Sequence, residues 1–178
     1  MSLLAGISNL FLKIVNFFNK DMKITLLVIG KTSDKYLSEG IEIYSKRISR
    51  YIDFQIIEHS LPAKFQKLPP AQLMQKEAEL IIQNIEKSDY SVLLDERGKS
   101  FSSVEFAKFI SQRMNLSTKS LLFVVGGAWG FSPQVYERAN ERISLSRMTF
   151  SHQMVRLFFA EQLYRAFSII KNEPYHNE

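Results

Sequence analysis

The chain has 178 residues, 46% of them hydrophobic and 23% charged, which supports one well-buried soluble domain. It holds no cysteine, which excludes a disulfide framework and thiolate metal ligands and fits a reducing cytoplasm; His59, His152 and His176 lack the short spacing of a zinc site. A net charge of +5 and a pI near 9.4 favour a polyanionic partner such as RNA over an acidic protein surface.

Residues 1–21 are apolar through Leu3 to Ile7 and Leu10 to Phe18. Ser8, Asn9, Lys13 and Asn16 interrupt the stretch, which falls short of the roughly 20 apolar residues of a membrane span. It also lacks the basic start and small-residue cleavage site of a secretory signal. The stretch reads as an extension preceding the fold, the alternative being an amphipathic helix packed on a partner subunit or a membrane surface.

From Met22 onward, short apolar runs alternate with helical periods, the pattern of a parallel α/β sheet in a single domain, residues 22–178. Ile24 to Ile29 reads as the first strand and Asp34 to Tyr51 as a helix. Phe54 to Glu58 is the second strand. A basic loop from Pro62 to Pro70 precedes a helix over Ala71 to Lys87. Tyr90 to Leu94 is the third strand, leading into Asp95-Glu96-Arg97-Gly98-Lys99, and Ser102 caps a helix running to Met114. Leu121 to Val125 is the fourth strand, followed by Gly126-Gly127-Ala128-Trp129-Gly130 and a helix begun at Pro133. Arg142 to Leu145 is a short fifth strand, and Gln153 to Lys171 the last helix.

Ligands of parallel sheets bind in the crevice beyond the strand carboxyl ends, so the loops at 95–99, 126–132 and 146–152 are expected to converge. Each has a plainer reading. The spacing Gly-Gly-x-x-Gly permits close backbone approach to a ligand, yet it also suits a tight turn and matches neither a dinucleotide fingerprint nor a P-loop. Asp95 to Lys99 suits a charged turn with Gly98 at positive φ, or a pocket wall from which Arg97 and Lys99 face phosphates.

The last helix is more informative. At 100° per residue its apolar positions cover more than half the circumference, too wide for one sheet face, which predicts a second subunit against it. Arg156 falls within that arc and needs an anionic or carbonyl partner. Arg165 lies toward the polar side, where an ion pair with Glu161 competes with any functional role. His152 suits a helix cap. Tyr175-His176 follows Pro174, which stiffens the tail.

Together Leu94 to Lys99, the glycine loop, Leu145 to His152, Val155-Arg156, Glu161 to Ala166 and Asn172-Glu173-Pro174-Tyr175-His176 closely resemble the bacterial large-subunit ribosomal RNA methyltransferase H family of the SPOUT class. The resemblance runs from Met22 to the end. It implies a parallel sheet with a C-terminal trefoil knot and an obligate homodimer whose site spans the interface. The implied reaction is S-adenosylmethionine-dependent methylation of N3 of a pseudouridine in the subunit-bridge hairpin of 23S rRNA, on assembled ribosomes, without a metal or a membrane.

Carried onto this sequence, the cofactor positions are Leu94, Gly126, Leu145, Ser146, Arg147, Met148, Thr149 and Phe150. An imide nitrogen attacks only after losing its proton, so Arg156 and Arg165 are expected to provide positive potential, and His176 with Tyr175 to order the base and accept the proton. Two departures stand out: Ala128-Trp129 at the centre of the glycine loop, and Ser151 where many relatives carry proline, which is expected to loosen the turn. Two rival readings are a non-catalytic RNA- or ribosome-binding factor and a nucleotide-dependent enzyme of doubly wound fold, which the glycine spacing disfavours.

Overall fold

A computed structural model of the chain describes residues 22–65 and 67–175. The expected extension at 1–21 and the expected site residue His176 lie outside the described residues. The elements in order are β1 (Lys23–Ile29), α1 (Lys35–Ile48), β2 (Asp53–His59), a 3-10 turn (Ala63–Phe65), α2 (Pro70–Ile85), β3 (Tyr90–Ser100), α3 (Ser103–Asn115), β4 (Ser120–Val125), α4 (Pro133–Arg138), β5 (Glu141–Ser144) and α5 (Met154–Ile170).

The five strands pair in parallel in the order β2-β1-β4-β3-β5. Strands covered on both faces must be apolar almost throughout, and β1 and β4 are: Ile24, Leu26, Leu27, Val28, Leu121, Phe123 and Val124 are fully buried. On one face, Leu26, Val28 and Phe123 pack with Ile48 of α1, Phe106 and Ile110 of α3, and Phe159, Leu163 and Phe167 of α5. On the other, Leu27, Ile29, Leu122 and Val124 pack with Ala78 and Ile81 of α2 and Val135 of α4.

Local chemistry fixes the helix starts. Ser102 accepts from the Glu105 N–H at 3.2 Å, and the Glu105 carboxylate accepts from the Ser102 N–H at 2.7 Å, a reciprocal capping box. Proline occupies the first turn of both α2 and α4, where its missing N–H costs nothing.

Two expectations change. The segment Asp95 to Lys99 lies within β3, and Leu94 and Lys99 both pair with Ile143 of β5, so the strand makes a short excursion and rejoins its register. Gly98 does not adopt positive φ, which among the described glycines belongs to Gly30 and Gly130. Glycine is required at 98 because a Cβ there would lie 2.6 Å from the Ile143 backbone.

The breadth of the apolar arc on α5 is also explained within the chain, by two flanking helices. Phe159 meets Phe123 of the sheet and Phe106 of α3, with ring centroids 4.7 and 6.3 Å apart. Leu157 packs over Gly40 of α1, where a Cβ would approach it to 2.9 Å.

Candidate active site

The carboxyl ends of β4, β3 and β5 lie side by side, and their loops enclose an open crevice of about 560 Å³. The three loops expected to converge do so. Leu94 to Arg97, Val125 to Phe131, Leu145, Ser146, Met148 to His152 and Val155 all line it.

The glycine loop is one wall. Gly130 has φ +77°, which an L side chain adopts only under strain, and its N–H donates to the Gly127 carbonyl at 3.1 Å, closing the turn. A Cβ on Gly126 would stand 3.2 Å from both the Gly130 carbonyl oxygen and the Phe131 ring. Trp129, 58% exposed, stands at the rim.

The β3 excursion is the second wall. The Asp95 carboxylate accepts from the Arg97 N–H at 2.7 Å and from the Tyr136 hydroxyl. Tyr136 also lines the crevice, and its hydroxyl is pushed up to about 12 by burial first and then by the bond to Asp95. Glu96 accepts from the Thr149 hydroxyl at 3.0 Å, tying this wall to the loop after β5.

That loop is the third wall. Ser144 donates to the Ser146 carbonyl at 2.7 Å, and the Ser146 hydroxyl accepts from the Met148 N–H at 2.9 Å, folding the backbone tightly. The Ser151 hydroxyl accepts from the Met154 N–H at 3.2 Å, tying the end of this loop to the first residue of α5. Of the expected cofactor positions, Leu94, Gly126, Leu145, Ser146, Met148, Thr149 and Phe150 line the crevice; Arg147 is exposed and does not.

His152, read from the sequence as a cap, instead lines the crevice. Burial, and then the charge of Arg156, hold its imidazole below the usual histidine range. It is therefore neutral at neutral pH and open to a proton.

Arg156 finds the carbonyl partners its position demands, though not in the crevice. The side chain is fully buried. It donates to the carbonyls of Ile29, Gly30 and His152 at 2.7, 3.2 and 3.1 Å and to the Thr32 hydroxyl at 2.9 Å. Glu58 lies 3.8 Å away. It borders a separate cavity between α1 and β2. The expected offer of positive potential to an acceptor is not what the geometry of this chain presents, because carbonyls and a hydroxyl already take the guanidinium's donors.

Arg165, on α5, and Tyr175, beyond its end, gather away from the crevice. Glu161 accepts from Arg165 Nη2 at 2.6 Å and from the Tyr175 hydroxyl at 3.2 Å, and the guanidinium stacks 4.8 Å above the Tyr175 ring. From α1 and its end, Tyr44 lies 3.4 Å from the Tyr175 hydroxyl, and Tyr51 donates to Glu173 at 2.5 Å. Tyr175 packs against Tyr164, nine residues beyond Val155 and so about 14 Å farther along the helix. Neither Arg165 nor Tyr175 lines this chain's crevice.

The sequence reading missed Tyr136, whose only signal is its place one turn into the helix after the glycine loop, and Glu96 as a clasp. Among the described residues no group of three acidic or histidine side chains could hold a metal, and no helix is long and apolar enough to cross a membrane.

Comparison with known proteins gives a consistent result. A family model described as "Predicted SPOUT methyltransferase" matches residues 22–176. A protein of Christiangramia forsetii named ribosomal RNA large subunit methyltransferase H is 54% identical over 156 residues, covering 88% of this chain and 99% of that one. Its namesake from Parabacteroides distasonis is 50% identical over 157 residues, covering 88% and 100%. The crystal structure of a probable methyltransferase from Bordetella pertussis Tohama I superposes with a TM-score of 0.51 at 8% identity, covering 86% of this chain and 98% of that chain, a likeness of fold alone.

Proposed function

The chain belongs to the SPOUT methyltransferase family, with the ribosomal RNA large subunit methyltransferase H proteins, and from that membership we propose that it methylates 23S rRNA. We take the methyl donor to be S-adenosylmethionine, the acceptor N3 of a pseudouridine in the subunit-bridge hairpin, and the substrate the assembled ribosome in the cytoplasm. The observation that carries this reading is the crevice itself, in which a loop holding three glycines faces the folded segment after β5.

The residues present suit the donor. Leu94, Val125, Leu145 and Val155 offer apolar surface, while Gly126, Ser146 and Met148 to Phe150 complete the lining. When bound, S-adenosylmethionine supplies an electrophilic methyl group on a sulfonium. The protein's part is to orient the acceptor, exclude water and take a proton from N3. His176, with Tyr175, orders the base and accepts that proton, and Arg165 supplies positive potential as the imide anion develops. Arg156 acts as a positioning residue through the end of the 146–152 loop. The C-terminal segment passes through a loop to form a trefoil knot.

The 14 Å along α5 between the tail cluster and the crevice favours a homodimer in which the tail of each copy completes the crevice of the other. Transfer of a labelled methyl group to intact ribosomes unmodified in that hairpin, with naked rRNA as control, tests the reading. Label on ribosomes alone is expected. Absence of label from both substrates, with folded protein, would overturn it.

A further inference from the structure

Glu77 is a carboxyl to which the reaction outlined above gives no part. It lies on α2, only 6% exposed, on the helix face that also buries Ala78 and Ile81. A Cβ placed on Gly127 would lie 2.6 Å from both Glu77 carboxyl oxygens. The carboxyl therefore fills the space that a side chain at position 127 would need. Gly127 lines the crevice and Glu77 does not, so the loop backbone stands between them.

Oε2 of Glu77 has no hydrogen-bond partner among the described residues. Buried polar atoms are nearly always paired, and an orphaned carboxyl costs stability that an apolar side chain of equal size would not. Core packing alone therefore does not account for a glutamate here. Burial holds its carboxyl above the usual carboxylate range, which favours the neutral acid. An amide of the same shape would then do the same work.

We infer that Glu77 is a positioning residue of the methyl-donor site: its carboxyl braces Gly127 from behind and sets how far the glycine loop stands into the crevice. This rests on the reading of the crevice as the methyl-donor site. A brace depends on size and shape, so Glu77→Gln preserves it and Glu77→Ala removes it.

The test has two arms on the full chain. Calorimetric titration with S-adenosylmethionine and with S-adenosylhomocysteine is expected to show Glu77→Gln binding both within about twofold of the parent, and Glu77→Ala losing roughly tenfold or more for both. Thermal unfolding without ligand is expected to show Gly127→Ala lowering Tm strongly in the parent and much less in the Glu77→Ala background, since the clash is then gone. Unchanged binding by Glu77→Ala, equal losses in the amide and alanine variants, or additive shifts in Tm would each overturn the brace. A parent protein that binds neither ligand would instead overturn the methyl-donor reading, and with it the site this residue is said to position.

Discussion

Arg156 Nη2, on α5, donates to the carbonyl oxygen of Ile29, the last residue of β1, at 2.7 Å. The same guanidinium holds the His152 carbonyl at 3.1 Å, so one side chain fastens the loop after β5 to the end of a strand three places away in the sheet. Removing it strands carbonyls at the end of β1 and before α5, while Glu58 keeps the Thr32 N–H and hydroxyl at 2.9 and 2.7 Å. We expect Arg156→Ala to lower the free energy of unfolding by about 3 kcal/mol, read from urea denaturation. Lysine should not rescue it, because one ammonium cannot reproduce the guanidinium fork. A loss well under half that size would show the tie to be dispensable.

The His152 imidazole should give stability a pH slope. Its folded value lies below the ordinary 6.5, through burial first and Arg156 second, so the unfolded chain binds the proton more readily. The contribution is complete above the ordinary value and is lost as pH falls through the folded one. Comparing unfolding of the parent and His152→Gln from neutral to mildly acidic pH should show a steeper fall for the parent. Parallel curves would remove His152 from the effect.

Two glycines of the crevice walls should respond unequally to alanine. Gly98→Ala drives a Cβ into the Ile143 backbone, 2.6 Å away, and should cost about 3 kcal/mol while parting β3 from β5. Gly130→Ala meets nothing within 4 Å and should cost only the left-handed strain, about 1 kcal/mol. Reversal of that order in thermal unfolding would contradict the assigned causes.

The tail should be held by α1 and its end. Tyr51→Phe keeps the stack on Phe167, whose ring lies 5.6 Å away, and loses the bond to Glu173. Global stability should change by about 1 kcal/mol or less, while carboxypeptidase trims the C-terminus faster and methyl transfer falls. Trimming at the parental rate would mean the bond does not hold the tail.

Complementation tests the shared site. His176→Ala disables the tail and Gly126→Val narrows the crevice, so either homodimer should be inactive. Refolded together, half the dimers should be mixed, each with one complete site, restoring about a quarter of parental activity. A mixture as inactive as its parents would place tail and crevice within one copy.

Much of the fold was legible because fully covered parallel strands must be continuous apolar runs, and Ile24 to Ile29 and Leu121 to Val125 are such runs. The convergence of three loops followed from parallel topology. Arg156 announced its need for a partner by its place among apolar residues, but which partner it took depended on β1, more than a hundred residues away. The β3 excursion was unreadable because Asp95 to Gly98 has turn composition, and only the approach of Ile143 reveals why residue 98 has no side chain. Tyr136 and Glu96 escaped notice because each looks like an ordinary surface residue until Asp95 and Thr149 are seen opposite.

Because Leu94 and Lys99 both pair with Ile143, chain length between them is uncoupled from strand alignment. A residue gained or lost among Asp95 to Gly98 would reshape one wall of the crevice and leave Ser100 opposite Ser144. The fold thus carries an adjustable panel, by which related proteins can retune what the cavity admits without rebuilding the sheet that supports it.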